Sequence, residues 1–279
     1  MRDSYTKLSS LCTNPSVNDL FWATLVEETK WLQSIRLILA ASWQVAFHVL
    51  YNRLPVLCHC SHGWDRTSQV VCVAQILLDP YYRTRAGFCC LIEKDFLGFG
   101  HPFHTRCGHG EGRLDRSSGG NTSGFDSGPG SGASDEAQMS PIFIQFLDCV
   151  FQLVNQSPDD FEFNKNYLLL LSEHVYSCRF GTLMCDTEKE RETVASIRQR
   201  TFCLWEHLNA ESTLLNPTYK TRRSKSMNLE VADEYNDALM MPLPSLLRNV
   251  VLWTERHCMY GPKVTLYQNE SYPNPFYKF

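Results

Sequence analysis

One stretch constrains this chain more than any other: Leu54 to Gln69, LPVLCHCSHGWDRTSQ. It opens as a short apolar run, Leu54 to Cys58, of a length that suits a buried strand. The run gives way at Gly63, and apolar periodicity from Val70 to Leu78 predicts a helix. Strand, tight loop and helix bring backbone N–H groups together on an anion at a helix N-terminus. Within the loop, Cys60 and Arg66 are accompanied by the small residues Ser61, Gly63 and Thr67. The helix N-terminus, the amide dipoles and the arginine all favour a thiolate at Cys60 near neutral pH. A thiolate facing a bound phosphate can attack phosphorus and form a cysteinyl-phosphate. Arg66 would then hold two equatorial oxygens in a fork as charge shifts. The spacing of Cys and Arg alone arises by chance in many chains. His-Cys-x5-Arg-Thr, after an apolar run and before a helix, is far more specific.

The bulk properties narrow the field. With 279 residues the chain can bury a sizeable core. A formal net charge of -4 and a pI near 6.1 give no general attraction to nucleic acid or to an anionic membrane, so phosphate binding must come from local clusters. The 12 cysteines are irregularly spaced and no signal-like segment opens the chain, which predicts free thiols in a reducing, cytoplasmic setting. The longest apolar run, Leu37 to Leu50, is cut by Ser42, Gln44 and His48 and is too short to span a bilayer. A membrane substrate would have to be met at the surface.

Taken in order, Met1 to Pro15 shows no strong pattern. From Asp19 to Tyr51 the apolar spacing predicts one or two long helices, capped by Asn18 or Asp19. Asp79-Pro80 should end the helix after the loop. His101, His104, Cys107 and His109 lie close together, but H-x2-H-x2-C-x-H fits no common zinc site, and neither a metal nor another cofactor is expected. Residues 112–139 are nearly devoid of apolar side chains and read as a disordered insert. Pro141 opens a strongly apolar helix, and a second follows from about Asn164 to Arg179. Thr187 to Arg200 reads as charged and solvated, 218–242 as a second flexible insert, and Leu246 to Trp253 as a last helix.

HCSHGWDRTSQ closely resembles the signature of the myotubularin-related phosphoinositide 3-phosphatases, whose loop reads HCSxGWDRT. The resemblance extends in order through VEETKWL (Val26–Leu32), LLDPYYRT (Leu77–Thr84), FGH (Phe99–His101), RCGHGE (Arg106–Glu111), FEFN (Phe161–Asn164) and YSCRFGT (Tyr176–Thr182), about two thirds of the chain. It implies an α/β fold of the cysteine-dependent phosphatase type, of which this chain is a mostly helical, C-terminal portion with the phosphate-binding loop between a central strand and a helix. It also implies a domain truncated on its N-terminal side, since relatives carry most of the sheet and a lipid-binding domain earlier.

By its chemistry Cys60 is the nucleophile and Arg66 binds the phosphoryl group; the resemblance implies Asp65 as the general acid, the other role open to it being a structural salt bridge or a hydrogen bond within the loop. Ser61, His62, Gly63, Trp64 and Thr67 line the substrate site, and by the resemblance Arg106 binds a second headgroup phosphate. Two positions depart from the pattern. His62 stands where active relatives usually have aspartate, and Pro102 where a second basic residue is usual, which weakens the expected grip on a second phosphate.

The expected activity is removal of the D3 phosphate of phosphatidylinositol 3-phosphate or of the 3,5-bisphosphate. The expected partners are the lipid headgroup, the surface of endosomal membranes, and a homo- or hetero-oligomer with other myotubularin-like proteins. An alternative is an inactive scaffold that binds an active partner; such members usually lose the cysteine or the arginine, and this chain keeps both. A protein-tyrosine or dual-specificity phosphatase would share the loop chemistry, but Trp64-Asp65 and the downstream runs fit the lipid-directed family.

Overall fold

The computed structural model describes residues 1–109, 138–194, 196–220 and 243–259. Its framework is helical. The N-terminal part holds α1 (Arg2–Thr13), α2 (Trp22–Glu28), α3 (Trp31–Leu50) and, after the Cys60 loop, α4 (Arg66–Leu78). Next come α5 (Arg85–Ile92), a π-helical turn over Glu93–Leu97, and the short α6 (Phe103–Cys107). The remainder comprises α7 (Ile142–Gln156), α8 (Lys165–Ser177), α9 (Ile197–Arg200), α10 (Leu204–Ala210), α11 (Leu243–Arg248) and α12 (Thr254–His257).

The helix α7 is the axis of the molecule. Every residue from Ile142 to Val154 is buried, as expected of a helix whose apolar character runs right round it. α3, α4, α8 and α11 all pack on it. Its three buried polar residues are therefore paired. Gln145 donates to Ser34 Oγ at 2.8 Å and accepts from Gln69 at 3.1 Å. Asp148 accepts from Trp31 Nε1 at 2.7 Å and contacts His257 Nε2 at 2.9 Å, and Gln152 donates to its other oxygen at 2.8 Å. These bonds fasten α3, α4 and α12 to the axis in one register each.

The helix after the loop starts four residues earlier than the periodicity of Val70–Leu78 suggests, because Arg66 to Gln69 are also helical. It ends at Asp79, as the following proline requires, and the Asp79 side chain caps the next turn by accepting from Tyr81 N–H at 2.9 Å.

The segment Leu54–Cys58 differs from expectation. Among the described residues it pairs with no strand, and the sole β contacts are isolated bridges between Phe163 and Leu215 and between Phe180 and Phe202. Leu54, Val56 and Leu57 are exposed, Leu57 to 88%. A strand exists only through its neighbours, and here the apolar run lies bare.

Other corrections are smaller. Met1–Pro15 is mostly helix, with Leu8 and Cys12 buried. The stretch from Asp19 to Tyr51 breaks after Glu28, where Lys30 takes a left-handed φ of 64°. Thr187–Arg200 is not wholly solvated, since Arg191 is buried and pairs with Glu188 at 3.0 Å. The predicted last helix is replaced by α11 and α12, with Trp253 fully buried at the N-cap of the latter. The two stretches read as inserts, 112–139 and 218–242, lie almost wholly outside the described residues. All 12 cysteines are free thiols, and among the described residues no helix is long and apolar enough to cross a membrane.

Candidate active site

The loop from Cys60 to Asp65 is carried on the N-terminus of α4, which is itself anchored to the axis. Gln69, fully buried one turn into α4, donates to the Ile142 carbonyl at 2.8 Å. Ser68 Oγ donates to the Trp64 carbonyl at 3.2 Å. Gly63 makes the turn at φ +89°, a conformation that costs a residue with a Cβ far more than it costs glycine.

Cys60 is half-buried in this cradle, and Gly63 N–H donates to its sulphur at 3.2 Å. Burial pushes the thiol pKa up. Hydrogen bonds from the Thr67 hydroxyl and from the backbone amides of Thr67, Gly63 and His62 outweigh that and bring it to about 6. The arginine expected to share this work is turned elsewhere: Arg66 Nη2 donates to Ser61 Oγ at 3.2 Å, and both residues are exposed. The rings of His62 and Trp64 stack at 4.9 Å and 6° beside the loop.

Asp65 occupies the N-cap position of α4 but makes no capping bond. Its carboxylate is held instead by Arg106, whose Nη2 lies 2.9 Å from Oδ2 and whose Nε lies 3.3 Å from Oδ1, and by His101 Nδ1 at 3.0 Å. Burial raises the Asp65 pKa, but the hydrogen bonds and charge of His101 and Arg106 prevail and hold it below the ordinary carboxylate range. Arg106 also donates to the Gln138 carbonyl at 2.7 Å.

The structure thus gathers Cys60, Ser61, Gly63, Arg66 and Thr67 on one loop, stacks His62 on Trp64, and brings Arg106 to Asp65 across 41 positions of sequence. His101 is the partner that residue spacing did not reveal as a contact of Asp65. Its neighbour Phe96 lies at the end of the π-helical turn, and no local pattern announces that the chain returns there to the loop. The possible metal residues are dispersed in their contacts: His101 faces Asp65, His109 Nε2 donates to the Val175 carbonyl, and burial pushes the Cys107 thiol up to about 12. Among the described residues no group of His, Cys, Asp or Glu is arranged to hold a metal ion.

Comparison with known proteins gives the family. Residues 1–192 match the family model of the Myotubularin-like phosphatase domain. The chain is 36% identical over 278 residues to the protein named Myotubularin in Xenopus laevis, which covers 99% of this chain and 39% of that protein. It is 39% identical over 229 residues to Phosphatidylinositol-3-phosphate phosphatase MTMR7 of Homo sapiens, 81% of this chain and 31% of that protein. It therefore spans well under half the length of these relatives. With most of its residues matched in this way, the chain belongs to the myotubularin-like phosphatase family, whose fold is that of a cysteine-dependent phosphatase.

Proposed function

We propose that this chain carries the catalytic loop of a phosphoinositide 3-phosphatase acting on phosphatidylinositol 3-phosphate. The observation that supports it most is Cys60: a thiol brought to about 6 by converging N–H and O–H donors, at the N-terminus of a 13-residue helix. A relative named as a phosphatidylinositol-3-phosphate phosphatase supplies the substrate class.

In this reading the D3 phosphate enters the cradle and accepts from the loop amides. Arg66 exchanges its bond to Ser61 for two equatorial oxygens. The Cys60 sulphur attacks phosphorus in line, the bond from phosphorus to the inositol oxygen breaks, and Asp65 delivers a proton to the departing oxygen. Water then attacks the cysteinyl-phosphate, returning a proton to Asp65 and releasing inorganic phosphate. Asp65 starts as a carboxylate in the unliganded site. A phosphate dianion entering beside it favours its protonated form, which is the form the first step needs. The stacked pair of His62 and Trp64 forms an aromatic flank for the sugar ring, and Arg106 is the candidate cation for a second headgroup phosphate.

The finer fold assignment, an α/β domain with Leu54–Cys58 as a central strand, belongs to the same proposal and is supported by the bare apolar run just before the loop. So does the setting: a lipid substrate puts the protein on the surface of endosomal membranes from the cytoplasmic side, with other myotubularin-like chains as candidate partners.

Release of phosphate from short-chain phosphatidylinositol 3-phosphate tests the core of this reading, with Cys60→Ser as the blank and circular dichroism on both proteins. Release that disappears in the variant is the expected result. A folded chain that releases none would replace the proposal with the scaffold alternative.

A further inference from the structure

An aspartate at the first position of a helix ordinarily turns its carboxylate onto the helix's own free N–H groups. Asp65 does not, and the reason lies in His101. Its Nδ1 is 2.9 Å from the Trp64 carbonyl oxygen and 3.0 Å from Asp65 Oδ1. Both of these atoms only accept, so Nδ1 carries the proton: it donates to the Trp64 carbonyl and lies in ion-pair contact with Asp65 Oδ1. One imidazole thereby pins the Trp64–Asp65 peptide and the Asp65 carboxylate together.

The imidazole itself cannot move. His101 is fully buried, edge-on to Phe103 at 4.7 Å and 85° and to Phe96 at 5.3 Å and 88°, with its backbone N–H donating to the Phe96 carbonyl at 2.9 Å. Its Nε2 is buried without a partner. An apolar ring would fill this space without that desolvation penalty, so the polar end facing the loop is what the site uses.

What Asp65 is kept from is the cradle. The amides it would cap are those at the start of α4, on the same loop-and-helix junction whose Gly63 N–H donates to the Cys60 sulphur. A carboxylate placed there would take donors from an incoming oxyanion and set a negative charge beside it. Arg106 grips the same carboxylate and is itself tied to the Gln138 carbonyl at 2.7 Å, whereas His101 is enclosed in the core and bonded to the loop peptide.

We infer that His101 is a positioning residue that holds the Asp65 carboxylate out of the oxyanion cradle and so keeps the α4 amides open for substrate phosphate. The inference rests on the reading of the loop as such a cradle.

Calorimetric titration of the full 279-residue chain with tungstate tests both and tells them apart. A closed cradle lowers apparent affinity by its open fraction, and a typical capping interaction closes it enough for His101→Ala to bind on the order of tenfold more weakly. Asp65→Ala made on top of His101→Ala should restore the affinity of Asp65→Ala alone, because the competitor is gone. His101→Asn, which places an amide N–H where Nδ1–H sits, should recover most of the loss, whereas His101→Gln, with its donor one methylene further out, should not. That pair decides the matter if the alanine variant does not fold, as read by its thermal melt. Equal weakening in the single and double variants, or equal behaviour of Asn and Gln, would overturn the role of His101 and leave the cradle intact. A wild-type chain that binds no tungstate would overturn the cradle, and this inference with it.

Discussion

The thiol of Cys60 is where the chemistry of single residues is most exposed to measurement. Its pKa of about 6 means that the thiolate fraction rises as pH passes about 6 and is nearly complete by neutrality, where an ordinary cysteine is still mostly protonated. Alkylation by iodoacetamide should therefore show a midpoint near that value. Thr67→Ala removes a hydroxyl donor and should move the midpoint upward, and His62→Asp, which adds a negative charge beside the sulphur, should move it the same way. An unmoved midpoint in both would mean that the loop amides alone set the acidity. Gly63→Ala meets no atom within 4 Å, so its cost is conformational rather than steric: about 1 kcal/mol from the φ of +89°. Phosphate release should fall well before the melting temperature does, because the same strain misaligns the N–H that donates to Cys60. Much of this loop was legible in the sequence, since nucleophile, glycine and hydroxyl all fall within a few positions of one another. The direction of Arg66 was not, because a long exposed side chain takes its unliganded partner from its surroundings, here Ser61.

At the scale of elements, the decisive contacts are polar and cross the core. Asp148 is fully buried and serves Trp31 on α3, Gln152 on its own helix and His257 on α12. Replacing it with alanine strands three polar groups at once, and loss of stability of about 3–5 kcal/mol is expected. Urea unfolding followed by tryptophan fluorescence measures it; a change below about 1 kcal/mol would show that the neighbouring groups find other partners. Apolar periodicity made α7 and α8 legible, because their faces are continuous and strongly hydrophobic. It missed α1, whose buried contribution is confined to Leu8 and Cys12 among polar neighbours. For the run from Leu54 to Cys58 it gives a tendency toward burial and not the neighbour that would supply it, and among the described residues that neighbour is absent. The meeting of Asp65 with His101 and Arg106 was equally hidden, since it depends on how the π-helical turn and α6 fold back on the loop.

Considered as a whole molecule, the chain presents a bare apolar run beside its most reactive loop. Leu54 and Leu57 are 54% and 88% exposed, and an apolar run without a strand partner is a template for another strand. Sedimentation velocity over a concentration series should show self-association, and Leu57→Lys should suppress it; a chain that stays monomeric throughout would rule this out. The anchoring of α4 has a different consequence, one of timing. The helix that holds the cradle open is clamped by Gln69 to Ile142 and Gln145, which lie 73 and 76 positions further along. Closing so long a loop costs entropy before any contact rewards it, which slows the step. The cradle should consequently be among the last features to mature as the polypeptide leaves the ribosome. A nascent chain ending before Ile142 would hold every atom of the loop and lack the platform that keeps it in shape.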